Sequence, residues 1–156
     1  MPKVEVDVET SVAPERVRAA LLDFSDRRPA IWPGIEPSLY KVFSVDATSA
    51  EIQEGTKAPG GSVWAREHYD WSAPDRIRWT VMDSNFCRPG SYVEARISPR
   101  AGGGSRVHLV WNRSPSSLSG AIATAAIVAL RGGPFARSFR MGLERLEAGI
   151  ASGASE

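Results

Sequence analysis

A chain of 156 residues has the size of one compact domain with a substantial core, and 42% hydrophobic with 24% charged residues exclude a disordered or fibrous polypeptide. Nineteen basic against 18 acidic side chains leave a net charge of +1, which provides no overall field to gather nucleic acid. One cysteine, Cys87, cannot form an internal disulfide, and with two histidines it makes a poor structural zinc set. A reducing cytoplasm, no metal and no other cofactor are expected.

The N-terminal MPKVEVDVET is neither a secretion signal nor a transit peptide, because charge recurs at every second position. Val4, Val6 and Val8 alternate with Lys3, Glu5, Asp7 and Glu9, which predicts a strand over 3–10 with one wet face. Pro14 opens PERVRAALLDF, where Val17, Ala20, Leu21 and Phe24 recur at helical spacing and predict a helix ending near Phe24. In RRPAIWPGIEP, Pro29, Pro33 and Pro37 leave room for a turn or so of helix and a connector that presents Trp32.

Six β runs follow: LYKVFSVDA, AEIQEGT, SVWAREHYDW, RIRWTVMDS, SYVEARISP and RVHLVWNRS. Their breaks, ATS, KAPGG, SAPD, CRPG and RAGGG, are rich in turn formers and predict antiparallel strands on short loops. After Pro115, SSLSGAIATAAIVAL and FARSFRMGLERLEAGI predict one long helix bent or broken at Arg131–Pro134, where two glycines and a proline interrupt it. Phe135, Phe139, Leu143 and Leu146 form the apolar face of its second half. The longest apolar stretch, Leu118 to Leu130, is shorter than the ~20 residues of a bilayer span, so a soluble protein with no integral membrane association is expected. The expected organisation is a single domain over 1–150 and a frayed tail over 151–156.

The order of elements is α+β, with a helix laid across an antiparallel sheet. VEVDVETSVAPERVRAALLDF, REHYDWSAPDRIRWTV and GSRVHLVWNRSPSS leading into FARSFRMGLERLEAG resemble the START and birch-pollen-allergen superfamily, in particular its polyketide cyclase/dehydrase and lipid-transport branch. The resemblance runs from Val4 to Leu146. It implies a helix-grip fold: a seven-stranded curved antiparallel sheet wrapped round a long C-terminal helix, with two short helices between the first two strands. It also implies a cavity for an apolar small molecule. Members of the superfamily include lipid and hormone binders, aromatic polyketide cyclases and regulatory relatives, so what carries over is a cavity and not a reaction.

Alternation assigns the inner face strand by strand. Val63, Ala65, Glu67, Tyr69 and Trp71 share one face, and Ile77, Trp79 and Val81, then Val93, Ala95 and Ile97, then Val107, Leu109 and Trp111 continue it. Trp32, Tyr69, Trp71, Trp79, Trp111, Phe135 and Phe139 are the candidate ligand-binding set, with plain core filling as the competing reading. Glu67 is the conspicuous inward charge: a general acid or base, a partner for Arg78 or Arg96, or a side chain turned to water by a bulge in its strand. Tyr69 and Arg113 are the other catalytic candidates.

His68 and His108 fall on the opposite face. Asp83 and Arg113 lie near strand ends, Cys87 reads as an ordinary loop thiol, and AGGGS reads as a hairpin and not a phosphate cradle. The small residues of LSGAIATAAIVAL would allow close approach to another helix or a membrane surface, but without a strongly cationic face the segment reads as a lid or wall of the cavity, hinged at RGGPF. Three functions are compatible with this pattern: binding of a lipid, polyketide or isoprenoid-like molecule by a monomer or homodimer, a cyclase/dehydrase-type enzyme using the same cavity, or a protein-interaction module.

Overall fold

The computed structural model describes residues 3–58 and 61–149. The tail 151–156 and part of the KAPGG turn lie outside the described residues. Strand β1 (Lys3–Thr10), helices α1 (Pro14–Leu21) and α2 (Arg28–Ile31) and a 3-10 turn (Pro37–Leu39) come first. Strands β2 (Lys41–Val45), β3 (Ser49–Ala58), β4 (Gly61–Asp70), β5 (Arg76–Ser84), β6 (Tyr92–Pro99) and β7 (Ser105–Asn112) follow, and helices α3 (Leu118–Ala129) and α4 (Gly133–Glu147) come last. The strands form one seven-stranded antiparallel sheet in the order β1-β7-β6-β5-β4-β3-β2. Phe139, Leu143 and Leu146 of α4 join Val8, Ile77, Val93, Val107 and Leu109 of the sheet in one core, which is the helix-grip arrangement.

Helix α1 stops at Leu21, one turn before Phe24. Its continuation is taken by side chains that bond to local backbone: the Asp23 carboxylate accepts from the Ser25 N–H (3.0 Å), and the Ser25 hydroxyl accepts from the Arg27 N–H (3.2 Å). Phe24 thereby leaves the helix and meets the Tyr69 ring edge-on at 5.1 Å.

Strand β5 carries a bulge. Arg66 pairs with Asp83 and Glu67 with Val81, so Met82 is the extra residue and is exposed. Val81, on the near side of that bulge, and Ala65, beyond it, are both buried, in a satellite cluster with Cys87. The alternation of β4 therefore survives the bulge.

The outer face of the sheet is a lattice of ion pairs. Glu94 receives Arg78 at 2.9 Å, Arg96 at 3.2 Å and Arg76 at 3.8 Å. Asp7 holds Arg106 at 3.0 Å and His108 at 2.9 Å. His68 is exposed. Among the described residues no three His, Cys, Asp or Glu side chains cluster in a way that could hold a metal ion.

The C-terminal helix is two helices at 82°, broken where Gly132 adopts φ +76°. A Cβ at Gly132 would lie 2.7 Å from Val4 Cγ1 and 2.9 Å from Val6 Cγ1, so both the conformation and the space call for glycine. No single described helix is long and apolar enough to cross a membrane. Helix α4 packs on the sheet, whereas in α3 only Gly120 is buried, seated against the Phe86 carbonyl.

Candidate functional site

Between the sheet and the start of α4 lies a partly open cavity of about 430 Å³. Its apolar walls are built from every layer: Trp32 from the connector, Trp79, Val93 and Trp111 from the strands, and Phe135 and Phe139 from α4. Trp32 stacks on Phe139 with ring centroids 5.0 Å apart, and Tyr69 stacks on Trp79 at 5.3 Å, so the aromatic walls brace one another.

Two carboxylate–guanidinium groups interrupt this apolar surface. In the first, Arg113 donates from Nη2 to Glu67 Oε2 at 2.7 Å. Glu67 is 2% exposed, and burial pushes its carboxyl up to about 8; the attraction of Arg113 opposes the shift and the charge of Glu54 adds to it. Burial and the Arg113 cation thus pull the carboxyl in opposite directions, and burial is the larger effect. The Arg113 Nε is buried without a hydrogen-bond partner among the described residues, which leaves a donor at the cavity wall.

In the second, Arg28 donates from Nε to Glu54 Oε1 (2.8 Å) and from Nη2 to the Tyr69 hydroxyl (3.1 Å). Its Nη1 reaches the carbonyls of Leu21 (2.8 Å) and Asp23 (3.1 Å). The Tyr69 hydroxyl in turn donates to Glu54 Oε1 at 2.8 Å. Burial works to lower the pKa of Arg28, but Glu54 and Tyr69 outweigh it and hold the guanidinium charged. Burial and the nearby Glu54 carboxylate keep the Tyr69 phenol protonated.

The structure brings Trp32, Tyr69, Trp79, Trp111, Phe135 and Phe139 to the cavity. Trp71 lies apart from it: its indole N–H donates to the Ala47 carbonyl at 3.1 Å, and its ring packs beside Phe24. Glu67 and Arg113 meet each other, whereas Tyr69 is committed to Arg28 and Glu54. Arg78 and Arg96, the alternative partners for Glu67, are engaged by Glu94 on the other face. Asp83 is exposed and accepts from the Ser84 N–H. Cys87 is free and buried, which raises its thiol pKa, so it has no thiolate to offer. Of the long apolar run taken as a lid, Ile127 is the residue of α3 that reaches the cavity.

Sequence reasoning missed Arg28 and Glu54. The alternation Ala50, Ile52, Glu54 places Glu54 on the inner face, so the rule used on the other strands would have found it. Arg28 sits among prolines in RRPAIW, where no periodicity shows which way it points.

The model of the family "polyketide cyclase / dehydrase and lipid transport" matches residues 1–150. The chain belongs to this family. Solved structures share the fold of this polyketide cyclase / dehydrase and lipid-transport chain. The Zhui aromatase/cyclase of a Streptomyces species matches with a TM-score of 0.77 at 14% identity, covering 99% of each chain. A Thermus thermophilus protein matches at 0.76 and 20% identity, over 94% of this chain and 98% of that one. A START superfamily protein of Mycobacterium smegmatis matches at 0.71 and 12% identity, over 92% and 98%. At such identities the likeness carries the fold alone. No curated protein matches the chain in sequence.

The state of Glu67 in this polyketide cyclase / dehydrase and lipid-transport chain has a measurable signature. A carboxyl with a raised pKa in the folded state keeps its proton while the unfolded chain gives it up, so its contribution is complete below the unfolded value of 4.5 and is lost as pH rises toward about 8. Stability should therefore fall between those limits by on the order of a few kcal/mol, and Glu67→Gln should flatten the decline. His108, raised by its hydrogen bond to Asp7, acts in the same direction, so the readout is the difference between the two proteins in urea unfolding across this range. Parallel pH profiles would mean that Glu67 is ionised throughout.

Proposed function

We propose that this protein binds an apolar small molecule, of lipid, polyketide or isoprenoid-like character, in the cavity between sheet and α4. The observation that carries this reading is the cavity itself: about 430 Å³, walled largely by aromatic and aliphatic side chains, with charged groups confined to two clusters, Arg28–Glu54 and Arg113–Glu67. Ligand sites typically have 300–1,000 Å³, an apolar lining and a few fixed polar groups. An apolar body would lie along Trp79, Trp111, Phe135 and Phe139, with one oxygen-bearing group at Glu67 and Arg113. The free, buried Cys87 accords with a reducing cytoplasm.

Native mass spectrometry of protein purified from its own host, followed by denaturing extraction, tests the reading. A stoichiometric apolar passenger is expected, displaced or lost when Trp111 is replaced by Asp. A chain that is empty on isolation and takes up no apolar fluorophore in the cavity would sink the proposal.

A second reading, a cyclase/dehydrase-type enzyme, is favoured by one specific observation: a buried carboxyl, its pKa raised by desolvation, and a guanidinium 2.7 Å apart on the cavity wall. Glu67 would donate its proton to a substrate oxygen while Arg113 stabilises the charge that develops there. Tyr69, bonded to Arg28 and Glu54, would shape the pocket. Unchanged turnover of an identified substrate by Glu67→Gln would remove this reading and leave binding intact. The interaction-module reading gains nothing from Trp64, which is half-buried.

A further inference from the structure

Helix α3 presents to solvent what a helix normally hides. From Leu118 to Leu130 the sequence has no charged side chain, yet Leu118 is 80% exposed, Ile122 65%, Leu130 61% and Val128 44%. A helix that is apolar all round belongs in a core or against lipid. This exposure is built into the fold: Gly120 fixes the first turn against the Phe86 carbonyl, and Gly132 fixes the far end against Val4 and Val6.

Along the chain, the charges that flank α3 have one sign, although β1, which it touches, carries Glu5, Asp7 and Glu9. Between Arg113 and Leu143 there is no acidic residue. Arg131, directly after the helix, and Arg137 and Arg140 of α4 are exposed, and none has an ion-pair partner among the described residues. On the outer sheet face, by contrast, Arg76, Arg78, Arg96 and Arg106 are each paired.

We propose that α3 and these arginines form a docking surface for an anionic lipid bilayer, with α3 lying in the interface. Twelve helical residues span roughly 18 Å, too short to cross a hydrocarbon core of about 30 Å but enough to lie along its surface. A second copy of the chain is the poorer occupant, because it would bring the same unpaired arginines face to face. Each exposed arginine near an anionic leaflet adds attraction, and the apolar helix needs no directional partner. Ile127, Pro134 and Phe135 line the cavity, so docking would set its mouth against the bilayer. That last consequence rests on the proposed ligand; the docking itself does not.

The test is flotation of the intact protein with vesicles of phosphatidylcholine, alone or mixed with phosphatidylglycerol. Binding to the mixed vesicles is expected to be about tenfold or more tighter and to weaken with salt. Leu118→Glu with Ile122→Glu should abolish it at an unchanged melting temperature, since both side chains are exposed, and Arg131→Gln should weaken it about fivefold. Failure to float with anionic vesicles overturns the proposal. So does concentration-dependent dimerisation abolished by the same glutamates, which would assign the face to a second copy. Ligand content, measured separately by extraction, distinguishes failure of docking from failure of the cavity reading.

Discussion

Replacing Arg28 with methionine is expected to lower the unfolding free energy by about 3–5 kcal/mol, the loss typical when one partner of a buried ion pair is removed. The Arg28 and Glu54 side chains are 3% and 16% exposed, so Arg28 has almost no water to fall back on and Glu54 has little. Methionine fills the space but strands Glu54 and removes a donor from Tyr69. It also leaves the Leu21 and Asp23 carbonyls, at the open end of α1, without the guanidinium that satisfies them. Urea titrations at neutral pH read the effect. Arg28→Lys should fall between the two, because an ammonium keeps the charge and loses the planar fork. Adding Glu54→Gln to the methionine variant should recover part of the loss, since the stranded charge is then gone. A methionine variant within about 1 kcal/mol of wild type would show that the cluster is solvated in solution.

Trp32→Ala should cost a similar amount, about 3–5 kcal/mol, for a different reason. Trp32 is where three parts of the chain meet: its indole N–H donates to the Ala20 carbonyl at 3.2 Å, one face stacks on Phe139, and its edge lies against Gly142. Any Cβ at residue 142 would collide with that ring, so Gly142→Val should cost about 1–3 kcal/mol by overpacking. The two changes act on one volume. In the double variant the valine enters space that the indole has vacated, and the combined loss should fall short of the sum. Full additivity, measured by denaturation of the four proteins of the cycle, would contradict the close approach of α4 to Trp32. Because Trp32 is also a cavity wall, the alanine variant should accept a bulkier apolar fluorophore than wild type does.

The legibility of this chain in its sequence follows the physics of each element. Strands with one dry face announce themselves: Ile77, Trp79 and Val81, and Val107, Leu109 and Trp111, alternate as read and are buried. The break at RGGP was equally visible, because glycine and proline act locally. What was hidden depends on contacts between elements. Phe24 fits the helical spacing, yet the Asp23 and Ser25 side chains end the helix before it. Trp71 shares the alternation of Tyr69, but it lies at the end of β4 beside Ala47, beyond the reach of the cavity. The pairing of Glu67 with Arg113 and not Arg78 could not be chosen by pattern, since it joins the middle of one strand to the residue just beyond another. The exposure of α3 was hidden most completely: its composition reads as buried, and only the tethering of its two ends holds it outside.

Strand β1 pairs along its whole length with β7, Lys3 opposite Asn112 and Thr10 opposite Ser105, while β2 to β7 are joined successively by short connections. The Thr10 hydroxyl also donates to Glu147, nearly the last described residue. During synthesis the meander from β2 onward can form as it emerges, but the first strand made must wait for the last. Its valines stay unpartnered until β7 leaves the ribosome, and the core is not sealed until α4 follows. Closure over so long a loop should make this the slow step of folding, with the nascent chain most open to chaperones, and to aggregation, in that interval.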